Sequence, residues 1–207
     1  MLFRSTGAVP SAAPSATPSA TPGAEGAAVA APSPTPSAAP TEARFTIGYA
    51  GDVLTHMPVM DDTAGGGGDI EPLIAAARPW SEGVDLALCG MEVPVAPDGV
   101  PSGYPVFGST TAVVDALSRS GWDGCATASN HSWDQGFAGV VATADALRAD
   151  SMGYSGTNRT QAEADAPYQL YELTRGGMTI TVAQLSTTYD LNGFLPKIGR
   201  ASCRERV

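Results

Sequence analysis

Positive charge and histidine are what this chain has least of. Across 207 residues, 11 lysines and arginines stand against 21 aspartates and glutamates, for a formal charge of −10, and the only histidines are His56 and His131. So acidic a chain has no general electrostatic hold on a nucleic-acid backbone, which excludes nucleic acid as a partner. No run is long and apolar enough to span a membrane. The cysteines number three, Cys89, Cys125 and Cys203.

The two ends differ in character from the middle. Residues 5 to 41 are almost wholly Ala, Pro, Ser, Thr and Gly, with eight prolines and no aromatic. Such a segment buries too little surface to offset its ordering entropy, so residues 1–43 are expected to be a disordered, extended spacer. Cell-surface proteins use spacers of this kind to hold a domain away from a membrane or through a wall layer; a cytoplasmic disordered tail is the other reading. The start, Met1-Leu2-Phe3-Arg4, lacks a full signal peptide, so export would depend on a segment not encoded here.

At the far end, residues 198–207 translate back, as ATC GGA AGA GCG TCG TGT AGG GAA AGA GTG, into a widely used sequencing adapter. They are expected to be a non-native scar, the alternative being a basic tail. Without their three arginines and one glutamate the formal charge becomes −12, and only Cys89 and Cys125 remain. Lys197 is then the last native residue of a fragment.

From residue 44 the pattern becomes that of a folded domain. Arg44 to Ala50 alternates Phe, Ile and Tyr with smaller residues and reads as a strand. Asp69 is placed to cap a helix through Ile70, Leu73 and Ile74 to about Arg78, with Pro72 tolerated in its first turn. A buried strand is expected from Val84 to Cys89, a helix from Thr111 to Ser120 stopped by Gly121, a strand from Trp122 to Ala128, and a helix from Phe137 to about Arg148. Tyr168 to Arg175 and Met178 to Ser186 flank Gly176-Gly177 and predict a β-hairpin. Gly65 to Gly68 lack the Gly-Lys-Ser/Thr of a phosphate-binding loop and read as a flexible loop. Strands alternating with helices, then a hairpin, imply a layered α/β domain.

Three polar signatures stand just after apolar, strand-like runs: Gly51-Asp52, Glu92 with Pro94, and Ser129-Asn130-His131 with Asp134. Carboxylate, amide and imidazole groups delivered from parallel strand ends converge on one crevice, which is how open α/β sheets build a metal or substrate site. Each group also has a plainer role open to it. Asp52 could cap a turn, Glu92 could be a solvated loop acid, and Asn130-His131 could be a hydrogen-bonded strand-end pair. Asp134 either orients His131 or caps the helix that begins near Phe137. His56, four residues past Asp52, either reaches the crevice or packs elsewhere. Trp80, Trp122 and Trp133 read as packing residues, with Trp133 also placed to line the crevice.

In order along the chain, Ala50-Gly-Asp-Val53, Asp85-Leu-Ala-Leu88 leading to Glu92-Val-Pro94, and Ser129-Asn-His-Ser-Trp-Asp134 before Gly136 resemble the CapA family of bacterial poly-γ-glutamate capsule-synthesis proteins. Thr143 with Leu147, Gly153 to Gly156, the acidic-Ala-Pro stretch ending at Pro167, and Thr188-Tyr189 with Asn192-Gly193 continue the resemblance. It covers residues 45 to 196. It implies a metallophosphatase-like layered sandwich, helices flanking two mixed sheets, of which residues 44–197 form the N-terminal part.

The resemblance also implies metal ligation by Asp52, Glu92 and Asn130, with His131 facing substrate as donor or general acid. That donor set suits divalent manganese, magnesium, iron or zinc, in one or two ions. Two departures stand out. Leu54 occupies the place where general metallophosphatases carry a histidine, and the family's later histidines lie beyond Lys197. This chain is therefore expected to lack hydrolase activity even where its parent has it.

Two functions follow from the resemblance. One is a metal-dependent hydrolase or transferase acting on an extracellular anionic polymer such as poly-γ-glutamate. The other is a non-catalytic surface protein that binds or anchors such a polymer. A phosphoesterase is a third, by fold analogy. An extracytoplasmic location and membrane or wall anchorage are expected. Cys89 and Cys125 could pair there, but adjacent parallel strands seldom offer disulfide geometry, so two buried thiols are expected.

Overall fold

The structure, a computed structural model, describes residues 42–63 and 67–194. The spacer up to residue 41, part of the glycine loop and the terminal segment read as adapter lie outside these residues.

Four strands form one parallel sheet in the order of the chain: β1 (Ile47–Val53), β2 (Leu86–Met91), β3 (Gly124–Ala126) and β4 (Gly153–Ser155). Parallel neighbours need a crossover, and the two best-defined ones are α4 (Thr111–Arg119), between β2 and β3, and α5 (Gly136–Ala149), between β3 and β4. Val113, Val114, Ala116 and Leu117 of α4, with Ala144, Ala146 and Leu147 of α5, are buried in one cluster with Cys89, Met91 and Cys125 of the strands. This i, i+3, i+4 spacing on the helices and the continuous apolar run of β2 are why the core sits between sheet and helix pair.

Shorter elements complete the domain. They are α1 (Met57–Asp62), α2 (Glu71–Ile74), α3 (Arg78–Ser81) and α6 (Gln161–Asp165). The single helix expected from Ile70 to Arg78 is instead broken, with a 3-10 turn, Ala75–Ala77, between α2 and α3. Pro79 explains the break, because it has no N–H and its ring crowds the carbonyl four residues back. The residue capping α2 is Ile70, without a side-chain cap bond, and not Asp69, which stands one residue earlier with its Oδ1 accepting the Glu71 N–H at 3.1 Å and Arg119 at 2.7 Å. Trp80 is 80% exposed, so it is not the packing residue expected, whereas Trp122 packs against the core.

The hairpin is β5 (Gln169–Arg175) and β6 (Met178–Gln184), antiparallel and joined at Gly176-Gly177, whose φ values of 58° and 79° are those a two-residue primed turn requires. Neither sheet is mixed. Tyr171 lays its hydroxyl against the backbone at Gly124 and Gly153 and donates to Gln184 Oε1 at 2.8 Å, fixing the hairpin over β3 and β4. The face of β1 beside it stays open, with Ile47 52% and Tyr49 61% exposed. Among the described residues no helix is long and apolar enough to cross a membrane.

Cys89 and Cys125 are directly opposed in the β2–β3 register, with Cα atoms 4.4 Å apart, and form a disulfide. This corrects the expectation of two buried thiols. In-register pairing brings the two Cα atoms well inside the distance beyond which a bond would need backbone movement.

Candidate functional site

The first site residue is not beyond its strand but inside it. The β1–β2 register advances from Ala50↔Cys89 to Val53↔Met91, so β1 carries one more residue than its partner at that point. Strict alternation from Tyr49 would send Asp52 to the opposite face; the extra residue of this bulge returns it to the open face. Gly90 makes room there. A Cβ at Gly90 would lie 3.2 Å from Asp52 Oδ1 and 2.8 Å from the Tyr49 hydroxyl.

Glu92 follows β2 directly and is half-buried. Burial is the main cause of its raised pKa; the Asp52 charge and a hydrogen bond with Asp52 add to it, and His131 partly offsets it. Tyr49 is raised by burial and by Asp52 as well. A group whose folded pKa is raised costs stability as pH climbs through that value, since the folded state must give up a proton it holds more tightly than the unfolded chain. Glu92→Gln is therefore expected to raise the melting temperature near pH 7 and to leave it unchanged near pH 4, where glutamate is largely protonated in both states. Thermal melts across that range check this; a variant no more stable than wild type near pH 7 would refute it.

The third signature is a turn held by its own hydroxyls. Ser129 Oγ donates to Glu92 O at 2.7 Å and accepts the His131 N–H at 3.0 Å, while Ser132 Oγ accepts the Ser129 N–H at 2.6 Å. This ties the Asn130-His131 loop to the residue after β2. His131 Nδ1 lies 2.7 Å from Asp134 Oδ2, and that oxygen also accepts the Phe107 N–H at 2.7 Å. The Asp134 side chain is fully buried, and its Oδ1 has no hydrogen-bond partner. The residue capping α5 is Gln135, without a side-chain cap bond, so of the two roles open to Asp134 the structure supports the orienting one.

Phe107 stands edge-on to His131 at 4.7 Å and to His56 at 5.3 Å. His56 thus joins the site through an aromatic contact, its Nδ1 buried without a partner. Trp133 packs with Phe137 at 6.5 Å.

Asp52, Glu92 and Ser129 line one groove of about 570 Å³, with Tyr49 on its floor and Ser186, beyond β6, on its wall. His131 is close enough to Glu92 to act on its charge. Asn130 is joined to His131 by sequence and by a shared partner, Asn192: Asn130 Nδ2 donates to Asn192 Oδ1 at 3.1 Å. Among the described residues, no three His, Cys, Asp or Glu side chains converge as a metal cluster. The groove is lined by the Asp52–Glu92 pair and Ser129, while Asn130 and His131 stand on the adjoining loop and do not line it. The paired donors themselves fit a cation, because two neighbouring carboxylates are hard oxygen ligands whose mutual repulsion a divalent cation relieves.

Sequence reasoning assigned no site role to Tyr49, Phe107 or Asn192. Period-2 alternation points to Tyr49, which lies on the face that Asp52 regains. Nothing local marks Phe107, and Asn192 stood out only through its Asn192-Gly193 motif, with no role attached; their contacts with the His131 loop span 27 and 62 residues.

Parallel strands with polar loops at their carboxyl ends, converging on a carboxylate pair and an oriented histidine, define an α/β protein with a strand-end site. The chain belongs to the family of bacterial capsule synthesis proteins described as PGA_cap, whose family model matches residues 46–205. Membership indicates a role in capsule synthesis, and the matched span runs past Lys197 into the segment that reads as adapter. A search of curated proteins returned no match.

Proposed function

We propose that this protein handles an extracellular anionic capsule polymer, poly-γ-glutamate or a chain like it, at the groove beside Asp52 and Glu92, as a metal-dependent hydrolase or transferase of metallophosphatase-like layering. The observation that carries the reading is the Asp52–Glu92 pair, two carboxylates drawn together beside an imidazole in an open groove.

Asp52, Glu92 and Asn130 would hold a divalent ion, manganese, magnesium, iron or zinc. Once bound, the ion supplies Lewis acidity and a more acidic water. An acidic protein and an acidic polymer repel one another unless a cation stands between them, so the same residues would admit the polymer. Asp134 holds the His131 proton on Nδ1, which leaves Nε2 as the atom that accepts or returns a proton at the substrate. The disulfide favours an oxidising, extracytoplasmic location, with anchorage at a membrane or wall.

The test is polymer capture. The full chain is incubated with poly-γ-glutamate, with and without Mn²⁺, and co-sedimentation and polymer length are measured. Capture is expected only with the ion, and Glu92→Ala is expected to weaken Mn²⁺ binding by about tenfold to a hundredfold. Capture indifferent to Mn²⁺, or Mn²⁺ binding unchanged in Glu92→Ala, would overturn the reading. Capture without shortening is the expected result, since the family's later histidines lie beyond Lys197; shortened polymer would assign catalysis to this chain itself.

A further inference from the structure

The segment after β6 is not a free tail. Asn192 N–H donates to Asp190 Oδ1 at 3.1 Å, Thr188 Oγ1 to Asp190 O at 3.1 Å, and Phe194 N–H to Leu191 O at 3.0 Å, so residues 188 to 194 form a small hydrogen-bonded loop. Thr188 and Leu191 line a small cavity with Ser132 and Trp133, which seats the loop against the His131 turn. Asn192 itself has a φ of 53°, a left-handed conformation that asparagine tolerates better than most residues.

That conformation aims one carboxamide at two site residues. Asn192 Oδ1 accepts from Asn130 Nδ2 at 3.1 Å, and Asn192 Nδ2 lies 3.2 Å from His131 Nδ1 and 3.5 Å from Nε2. His131 Nδ1–H is already given to Asp134, and Asn192 Nδ2, close to both ring nitrogens, rests against the imidazole and leaves Nε2 open. An asparagine side chain has one donor end and one acceptor end. With its Nδ2 committed to Asn192, Asn130 presents Oδ1 as its open atom, the only end of the amide that can ligate a cation.

We infer that Asn192 is a positioning residue: it clamps Asn130 and His131 together and fixes the Asn130 carboxamide with its oxygen free. The role for that oxygen rests on the proposed metal site; the clamp does not. The Asn192 carboxamide meets Asn130 and the His131 ring, so it acts through the residues it holds.

Two variants separate the side chain from the backbone. Asn192→Gly removes the carboxamide and suits the positive φ. Asn192→Asp keeps the acceptor for Asn130 and also tolerates the left-handed region. In the metal-free full chain, the Asn130 side-chain NH₂ resonances are expected to move and to exchange faster with water in Asn192→Gly, and to stay protected in Asn192→Asp. Mn²⁺ affinity is expected to fall about tenfold in Asn192→Gly and to be largely retained in Asn192→Asp. Unchanged Asn130 resonances in Asn192→Gly overturn the inference whatever the metal does. Absence of Mn²⁺ binding in the wild type overturns the metal reading alone, and the amide resonances still decide the clamp.

Discussion

Asp134→Ala is expected to cost about 3–5 kcal/mol of folding stability, the largest loss from any single site residue. The side chain is fully buried, and one oxygen accepts both the Phe107 N–H and the His131 Nδ1–H at 2.7 Å. Hydrogen bonds to a charged group contribute about 1.5–3 kcal/mol each, and alanine removes both while leaving the Phe107 N–H buried without a partner. Asp134→Asn should be milder. Its amide oxygen can receive both donors, but it places an NH₂ where Asp134 Oδ1 now has no partner, so a donor is left buried. Urea unfolding of both variants checks the order. A loss under about 1 kcal/mol for alanine would show that the His131 turn holds its shape without the carboxylate. In the same variant, His131 should lose its single tautomer, visible in the imidazole nitrogen shifts.

Removing the Cys89–Cys125 bridge is the second large expected effect. The bridged residues are 36 apart, and closing a loop of that length in the unfolded chain corresponds to about 4 kcal/mol of lost entropy in the chain-entropy account. The double variant Cys89→Ala/Cys125→Ala should therefore unfold at clearly lower denaturant, by about 2–4 kcal/mol. Because Cys89 precedes Glu92 by three residues and Cys125 precedes Asn130 by five, the spacing of the two site loops should loosen with it. Thiol titration of the unfolded, unreduced chain supplies the chemical check. One reactive thiol, Cys203, is expected of the three cysteines; three would restore two buried thiols in place of the bridge.

How much of the fold is legible in the sequence follows from how local each signal is. The buried run around Cys89, the apolar faces of α4 and α5, Gly121 after α4 and the Gly176-Gly177 turn are set by neighbours a few residues away, and all appear close to their expected places. The Pro79 break could have been foreseen from the ring's missing N–H; the apolar spacing of Ile70, Leu73 and Ile74 concealed it. α1 and α6, six and five residues long, and β4, three residues long, are too short for a periodic signal.

The site divides in the same way. Asp52, Glu92 and His131 were legible because their motifs stand at or beside strand ends. The bulge that turns Asp52 toward Glu92 was not, since it depends on how β1 registers against β2, 39 residues on. The two roles open to Asp134 could be separated only by Phe107, whose backbone N–H arrives from a loop with no motif of its own.

The in-order sheet also sets a timetable. Asp52 near the end of β1, Glu92 just after β2 and Asn130 after β3 come from successive strands, so the crevice is laid down in the order in which the ribosome releases it. Asn192 comes 62 residues after the asparagine it holds. At roughly 5–20 residues per second, the crevice waits about 3–12 seconds for its last member. Through that interval the nascent chain presents two acids and an imidazole with their restraint still unmade.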